Sequence, residues 1–118
     1  MALHHLTSGE VATLEPLGPE LPEARTRALV KADSFEAIRL VLGSGDELQP
    51  HMVSEQFTLH CLEGRVTVEL AESSLELAAN QWVYFDGGIT HGLRATENSS
   101  LLLTIMLPAS GHSMSGSE

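Results

Sequence analysis

The sequence predicts an all-β domain, a sandwich or a barrel, and three observations support this. Apolar residues alternate with polar ones, or run continuously, in short segments that suit strands. Clusters of Gly, Asp and Ser recur at short intervals between these segments. After Asp33, no stretch of helical length carries an apolar period of about 3.6 residues. A chain of 118 residues with this pattern is large enough for one core and too small for two.

Several short segments are predicted as strands. Val66, Val68 and Leu70 alternate with polar residues and therefore share one face of their strand. The segment that contains Trp82 and Tyr84 is rich in aromatic, strand-favouring residues. Turn residues follow most of these segments, and Pro108 prevents extension of the last one. The predicted strands are residues 34–42, 57–62, 65–70, 74–77, 81–85 and 101–107.

The two ends of the chain lie outside this strand pattern. Pro16, Gly18, Pro19 and Pro22 prevent both a helix and a central strand, so we expect an extended arm that crosses a surface of this chain or of a partner. The small, polar residues at the other end are expected to form a flexible tail. We therefore expect one domain over residues 1–118, with an arm at about 1–26, a barrel at about 27–108 and a tail at 109–118.

Charge and composition exclude several function classes. Six basic residues against sixteen acidic ones give a formal net charge of −10, which repels phosphate backbones, so nucleic acid is not an expected partner. No apolar run approaches the roughly 20 residues that cross a bilayer. Residues 1–10 lack the pattern of a secretory signal, so we expect a cytoplasmic protein with no membrane partner. Cys61 is the only cysteine, which excludes an internal disulfide and a multi-cysteine zinc site.

Histidines are the residues that most suggest chemistry, and two of the six stand out. His51 follows Pro50 at the predicted start of a strand. His91 follows a Gly-rich turn after the aromatic strand. In an antiparallel barrel, two strand starts of this kind can meet in one mouth, and paired imidazoles are natural ligands for divalent transition metals.

Two short patterns surround these histidines. Gly45, His51 and the run Leu62-Glu63-Gly64 resemble the first motif of the cupin family, G-x5-H-x-H-x3-E-x6-G. Gly88 and His91 are similar to part of its second motif, G-x5-P-x-G-x2-H-x3-N. The chain thus resembles a small single-domain, RmlC-like cupin, which implies a jelly-roll barrel, also called a double-stranded β-helix.

The chain departs from both motifs at positions that matter for a metal. Metal-binding cupins supply three histidines and a glutamate. Here Val53 stands at the second His position and Phe57 at the Glu position. In the second motif, Asn80, Asp86 and Ala95 replace the first Gly, the Pro and the Asn. The resemblance therefore implies a metal motif that has lost two of its four ligands.

The remaining ligands define a candidate metal site. His51 and His91 are candidate ligands for a zinc, nickel, iron or manganese ion, with His60, Gln56 or Glu55 as candidates for a third ligand. His60 alternates with apolar residues along its strand, which puts it on the face away from the lost Glu position unless a bulge intervenes. With no third ligand, we expect weak or partial metal occupancy.

The two replaced ligand positions also predict the character of the pocket. Val53 and Phe57 should point inward and make it drier, beside His51 and His91. At least one of Trp82 and Tyr84 is expected at the pocket wall. Such a pocket favours a small molecule with apolar surface and one or two polar handles.

The resemblance also bears on partners and leaves the function class open. A small β domain has sheet edges to cover, and dimeric cupins commonly pair through such arms, so we expect a homodimer. The resemblance implies a small-molecule-binding cupin, a metal-dependent dioxygenase, isomerase or lyase, or a non-catalytic regulatory domain. Arg39 could orient an anionic ligand or form an exposed salt bridge. No catalytic residue is assigned.

Overall fold

The computed structural model describes residues 5–108, and it confirms the predicted all-β jelly-roll fold. Within these residues the strands pair antiparallel in two sheets around one core. The predicted tail, residues 109–118, lies outside the described part of the chain. The strands are β1 (Arg27–Lys31), β2 (Phe35–Leu42), β3 (Glu47–Met52), β4 (Phe57–Glu63), β5 (Arg65–Leu70), β6 (Ser74–Ala78), β7 (Trp82–Phe85), β8 (Thr90–Ala95) and β9 (Ser99–Met106).

The two sheets have interleaved strand orders. The larger sheet runs β1-β2-β9-β4-β7 and the smaller one β3-β8-β5-β6. From β2 to β9 the chain changes sheet at every connection except the one between β5 and β6. The chain therefore crosses repeatedly between the layers, and its connections gather at the ends of the barrel, where a site can form.

The core lies between the sheets and is apolar. Phe57, Leu59 and Cys61 alternate along β4 and are almost fully buried, as the alternation predicts. Val66 and Val68 meet them from β5 in the other sheet. Burial of such side chains contributes about 1.5–3 kcal/mol each, so these strands hold the barrel together.

Three strands, β1, β3 and β8, lie outside the predicted segments. Every residue of β3 is exposed, so this strand adds nothing to the buried core, and Pro50 lies within it. Proline is accepted here because β3 is the edge strand of the smaller sheet and, within residues 5–108, pairs with β8 alone. A register shift lies between Leu48 and His51. His51 is therefore near the end of β3, not at the start of a strand as predicted from Pro50.

The N-terminal arm is not extended throughout as predicted, because Gly18–Glu23 form a short 3-10 helix with Pro19 in its first turn and Pro22 inside it. The prolines exclude a longer α-helix but not this tight turn. Leu21 of this helix and Leu29 of β1 are buried outside the main core cluster. No helix among residues 5–108 is long and apolar enough to cross a membrane.

The arm is anchored to its own sheet by the carboxylate of Glu63. Glu63 Oε2 accepts hydrogen bonds from the backbone N–H of Leu17 (2.8 Å) and from Ser100 Oγ (2.6 Å), and Oε1 accepts from the N–H of Gly18 (3.0 Å). Arg39 Nη2 lies 3.3 Å from Glu63 Oε2. Arg39 is thus part of a buried ion pair, not the exposed salt bridge expected from its strand. Within one chain, the arm covers its own five-stranded sheet.

Candidate functional site

His51 and His91 come together because their strands pair side by side. They are direct cross-strand partners in the β3–β8 ladder. Paired residues project from the same face of a sheet. The two imidazole rings have centroids 4.7 Å apart and planes tilted by 49°. The two histidines therefore lie side by side, as expected, because backbone hydrogen bonds between their strands set their positions.

Each imidazole is oriented by a backbone carbonyl two residues earlier. The Nδ1 atom of His51 lies 3.3 Å from the carbonyl oxygen of Gln49, and that of His91 lies 3.3 Å from the carbonyl oxygen of Ile89. A carbonyl oxygen only accepts, so Nδ1 carries the proton in these contacts. The Nε2 lone pair of each neutral ring is then left for another partner.

The two rings differ in their surroundings. His51 is exposed, whereas His91 is buried and stacks on Phe57, with ring centroids 4.4 Å apart. Burial lowers the pKa of His91, repulsion from His51 lowers it further, and the contact with the Ile89 carbonyl opposes the shift. His91 is therefore held in its neutral form at neutral pH, where its Nε2 can accept a hydrogen bond or bind a cation.

A small apolar cavity of about 40 Å³ lies beside this pair. Among the described residues that line it, only His51 and His91 have polar side chains. The sequence indicated four of these residues, His51, Val53, Phe57 and His91. It gave no signal for the others, which come from β2, β3, β4, β8 and β9. The remaining lining residues are Leu40, Leu48, Leu59, Gly92, Leu93, Leu103 and Ile105.

Two loops close together at the mouth of the cavity hold Val53 in place. The N–H of Gly88 donates to the carbonyl oxygen of Val53 (2.8 Å). A side chain at Gly87 would collide with the carbonyl of Ser54, so the turn before β8 can approach this loop only with glycine there. The Gly-rich turn thus positions the loop before β4 relative to His91.

The prediction that Trp82 or Tyr84 forms the pocket wall is wrong. Both lie on β7 opposite His60 and Thr58 of β4, on the face away from the cavity. Trp82 is 60% exposed and Tyr84 47% exposed. Phe85, one residue further along, points inward instead and is 8% exposed. The residues of β7 alternate between the two faces of the sheet as expected, but Phe85 faces inward, and Trp82 and Tyr84 face outward.

None of the three candidates for a third metal ligand lines the cavity. His60 pairs with Trp82 on the outer face of β4, as its strand parity predicts. Gln56 is exposed and donates to the hydroxyl of Tyr84 (2.9 Å). Glu55 is absent from the cavity lining. Across residues 5–108, no three His, Cys, Asp or Glu side chains are grouped so that they could hold a metal ion.

Comparison with solved structures shows which proteins share this fold. A cupin superfamily protein from Desulfitobacterium hafniense matches with a TM-score of 0.71 and 13% identity, over 92% of this chain and 100% of the other. An RmlC-like cupin from Shewanella frigidimarina matches with a TM-score of 0.67 and 18% identity, over 92% and 95%. These identities are low, so the likeness concerns the fold.

A further structural match is part of a larger protein. An HTH_3 family transcriptional regulator from Vibrio cholerae matches with a TM-score of 0.62 and 24% identity, over 70% of this chain and 50% of the regulator. No protein-family model matches the sequence, and no curated protein matches it significantly.

Proposed function

We propose that this chain, a small domain with the cupin fold, binds a small organic molecule in the barrel pocket without a resident metal. The observation that carries the proposal is a pair of imidazoles at an otherwise apolar cavity. Apolar walls with one or two convergent polar groups are typical of small-molecule sites. His51 and His91 would bind the polar end of the ligand.

The size of the cavity limits what can enter it. Its volume of about 40 Å³ exceeds the roughly 10–15 Å³ that one water needs, but it is far below the roughly 300 Å³ of ordinary ligand pockets. Only a few heavy atoms fit inside. We therefore propose a ligand that inserts a small branched aliphatic group against Phe57 and Leu103. Its polar group would remain at the mouth, beside the exposed His51.

The donor set does not fit a tightly held metal. Protein sites for zinc and similar ions normally use three or more protein ligands, and only two imidazoles lie here among the described residues. The two motif positions that could supply further metal ligands hold the apolar residues Val53 and Phe57. Both of these residues line the cavity. Weak or partial occupancy remains our expectation for any of the ions named above.

A metal-dependent enzyme is the second candidate function, and one observation favours it. Both Nδ1 atoms face carbonyl oxygens, which leaves both Nε2 atoms for other partners, and neutral Nε2 is a common metal ligand. Thermal unfolding of untagged protein with nickel, zinc, manganese and iron tests this candidate. A large shift that His51→Ala and His91→Ala both abolish would show a metal site at this pair, as the second candidate requires, and would overturn the metal-free proposal.

The proposal itself is tested with fragments that match the pocket. Isobutanol, isobutyramide and isobutyrate share one branched end group and differ in their polar group. Each is titrated into protein treated with a chelator, and binding is followed by NMR through the methyl groups of Leu93, Leu103 and Ile105. His51→Ala and His91→Ala are compared with His60→Ala, a matched control on the outer face of β4.

The outcomes separate the alternatives. The proposal predicts that at least one fragment shifts the methyl signals in the wild type and in His60→Ala, and that both pocket variants bind it about tenfold more weakly. Fragments that leave the signals of the wild type unchanged, or that bind all three variants equally, would contradict the proposal.

A further inference from the structure

A second recess lies on the outside of the barrel, between the arm and the β1–β2 edge of the larger sheet. We call it the arm groove. Its volume is about 630 Å³. Leu40 of β2 lines the barrel cavity, whereas Arg39 and Val41 line the arm groove, so the two recesses lie on opposite faces of this sheet. The groove is lined by residues of the arm and of β1 and β2.

Cationic side chains are concentrated in the arm groove. The chain has six Lys and Arg residues, and Arg25, Arg27 and Arg39 all line this one recess. In a chain with a formal net charge of −10, such a concentration is opposite to the general surface charge. Arg25 and Arg27 make no ion pair within residues 5–108.

Arg39 has unused hydrogen-bond donors although it is buried. The residue is 8% exposed, and its Nη2 atom donates to the Glu15 carbonyl (2.8 Å), to Ser100 Oγ (3.0 Å) and to Glu63 Oε2 (3.3 Å). Its Nε atom is buried and has no hydrogen-bond partner among the described residues. A buried donor without a partner is costly, by roughly 1–3 kcal/mol, so this position would gain from an added acceptor.

Arg27 and Arg39 are also direct cross-strand partners in the β1–β2 ladder. Like charges directly opposite each other destabilise a strand pair. Glu63 balances Arg39, but its carboxylate is already engaged by Leu17, Gly18 and Ser100. Arg27 therefore has a like charge as its neighbour and no carboxylate within ion-pair distance in the described structure. An anion between the two guanidinium groups would relieve this repulsion.

We propose that the arm groove binds a small molecule with an oxyanion group, a phosphate or a carboxylate, through Arg27 and Arg39, with Arg25 at the rim. Arginine presents its N–H groups in a planar fork that matches the two oxygens of such a group. Glu15 and Glu20 line the same groove and oppose an anion, but neither carboxylate lies within ion-pair distance of an arginine in residues 5–108. They restrict the site to compact anions that reach the arginines, and they disfavour long polyanions. This site is separate from the proposed pocket ligand.

The test uses the full chain and two defined probes, pyrophosphate and citrate, titrated by calorimetry in a chloride buffer. The two probes distinguish a phosphate source of the oxyanion from a carboxylate source. Arg27→Gln removes one exposed guanidinium. Lys31→Gln is the matched control, because it removes the same charge from the same strand and Lys31 does not line the arm groove. Arg39 is left intact because its replacement would disturb the buried ion pair.

We expect at least one probe to bind the wild type with a single site, and Arg27→Gln to weaken that binding about tenfold or more. Lys31→Gln should change it by less than about twofold, since an exposed charge outside the site acts only through screened, long-range attraction. Absence of binding for both probes would overturn the proposal. An equal loss in Arg27→Gln and Lys31→Gln would also overturn it, because net charge alone would then explain the effect.

Discussion

The imidazole of His91 stacks on the ring of Phe57, with centroids 4.4 Å apart and planes 28° apart. Phe57 stands where the cupin motif has its glutamate ligand, so an aromatic face replaces a carboxylate beside this histidine. The replacement removes the negative charge that would favour imidazolium or bind a metal. It keeps His91 neutral, and the following predictions depend on that state.

The first prediction concerns pH. Burial lowers the pKa of His91 below its ordinary value of 6.5. Between the lowered value and 6.5 the unfolded chain binds more protons than the folded one, so the free energy of unfolding rises with pH. The contribution is fully present above about pH 6.5 and is lost as pH falls toward the folded value. Urea unfolding at about pH 7.5 and about pH 5.5 should show this loss in the wild type. If His91→Gln loses as much unfolding free energy between these pH values as the wild type, titration of other groups causes the loss.

The second prediction is that one substitution rebuilds a metal site. Val53 lines the cavity beside His51 and His91, so Val53→His adds a third imidazole. We expect the affinity for zinc to rise by about tenfold or more, because three ligands satisfy a site that two do not. Thr58→His is the control, since Thr58 lies on the outer face of β4 opposite Tyr84. Equal affinities in the two variants would mean that Val53 is not directed toward the histidines.

The third prediction concerns the anchor of the arm. The side chains of Glu63 and Arg39 are 15% and 10% exposed, so Glu63→Gln leaves a nearly buried guanidinium without its charge partner. We expect a loss of roughly 2–3 kcal/mol in the free energy of unfolding, together with faster proteolysis in residues 10–24. Glu76→Gln removes the acid of the exposed Arg65–Glu76 pair and should cost less than about 1 kcal/mol. Similar losses in both variants would show that the buried pair has no special role.

The fourth prediction concerns assembly. β7 is an edge strand of four residues, and it exposes both Trp82 and Tyr84. We propose a homodimer in which a second copy covers this edge and its outer face, which replaces the arm as the pairing element. Light scattering at micromolar concentration should show a dimer that Trp82→Ser weakens. Val11→Ser, at a residue that is 89% exposed in the arm, should leave it unchanged. A monomeric wild type would refute this interface.

The fold was predictable from the sequence because its motif glycines encode backbone geometry. Gly45 and Gly88 have φ values of 92° and 84°, in the left-handed region that glycine enters most easily. Asn80, which replaces the first Gly of the second motif, has a φ of 72°, and Asn is among the residues that tolerate this region. The backbone pattern of the motifs therefore survives where the ligands are lost.

The site was only partly predictable, for two physical reasons. His51 and His91 sit near recognisable turns, which locate their strands in the sequence. The pairing of these two strands then brings the histidines together. The run from Trp82 to Phe85 is apolar or aromatic at every position, so its alternation gives no indication of which pair faces inward. The small size of the cavity depends on how side chains of both sheets interlock, which no local pattern encodes.

The protonation of the two imidazoles tests the central claim most directly. A long-range proton–nitrogen NMR spectrum above about pH 7 distinguishes Nδ1–H from Nε2–H in each ring. We predict Nδ1–H in both His51 and His91, with Nε2 resonances that move when isobutyramide or isobutanol is added. The opposite result would be Nε2–H in both rings, with nitrogen resonances that do not shift when any fragment is added. It would contradict a ligand site built on this pair.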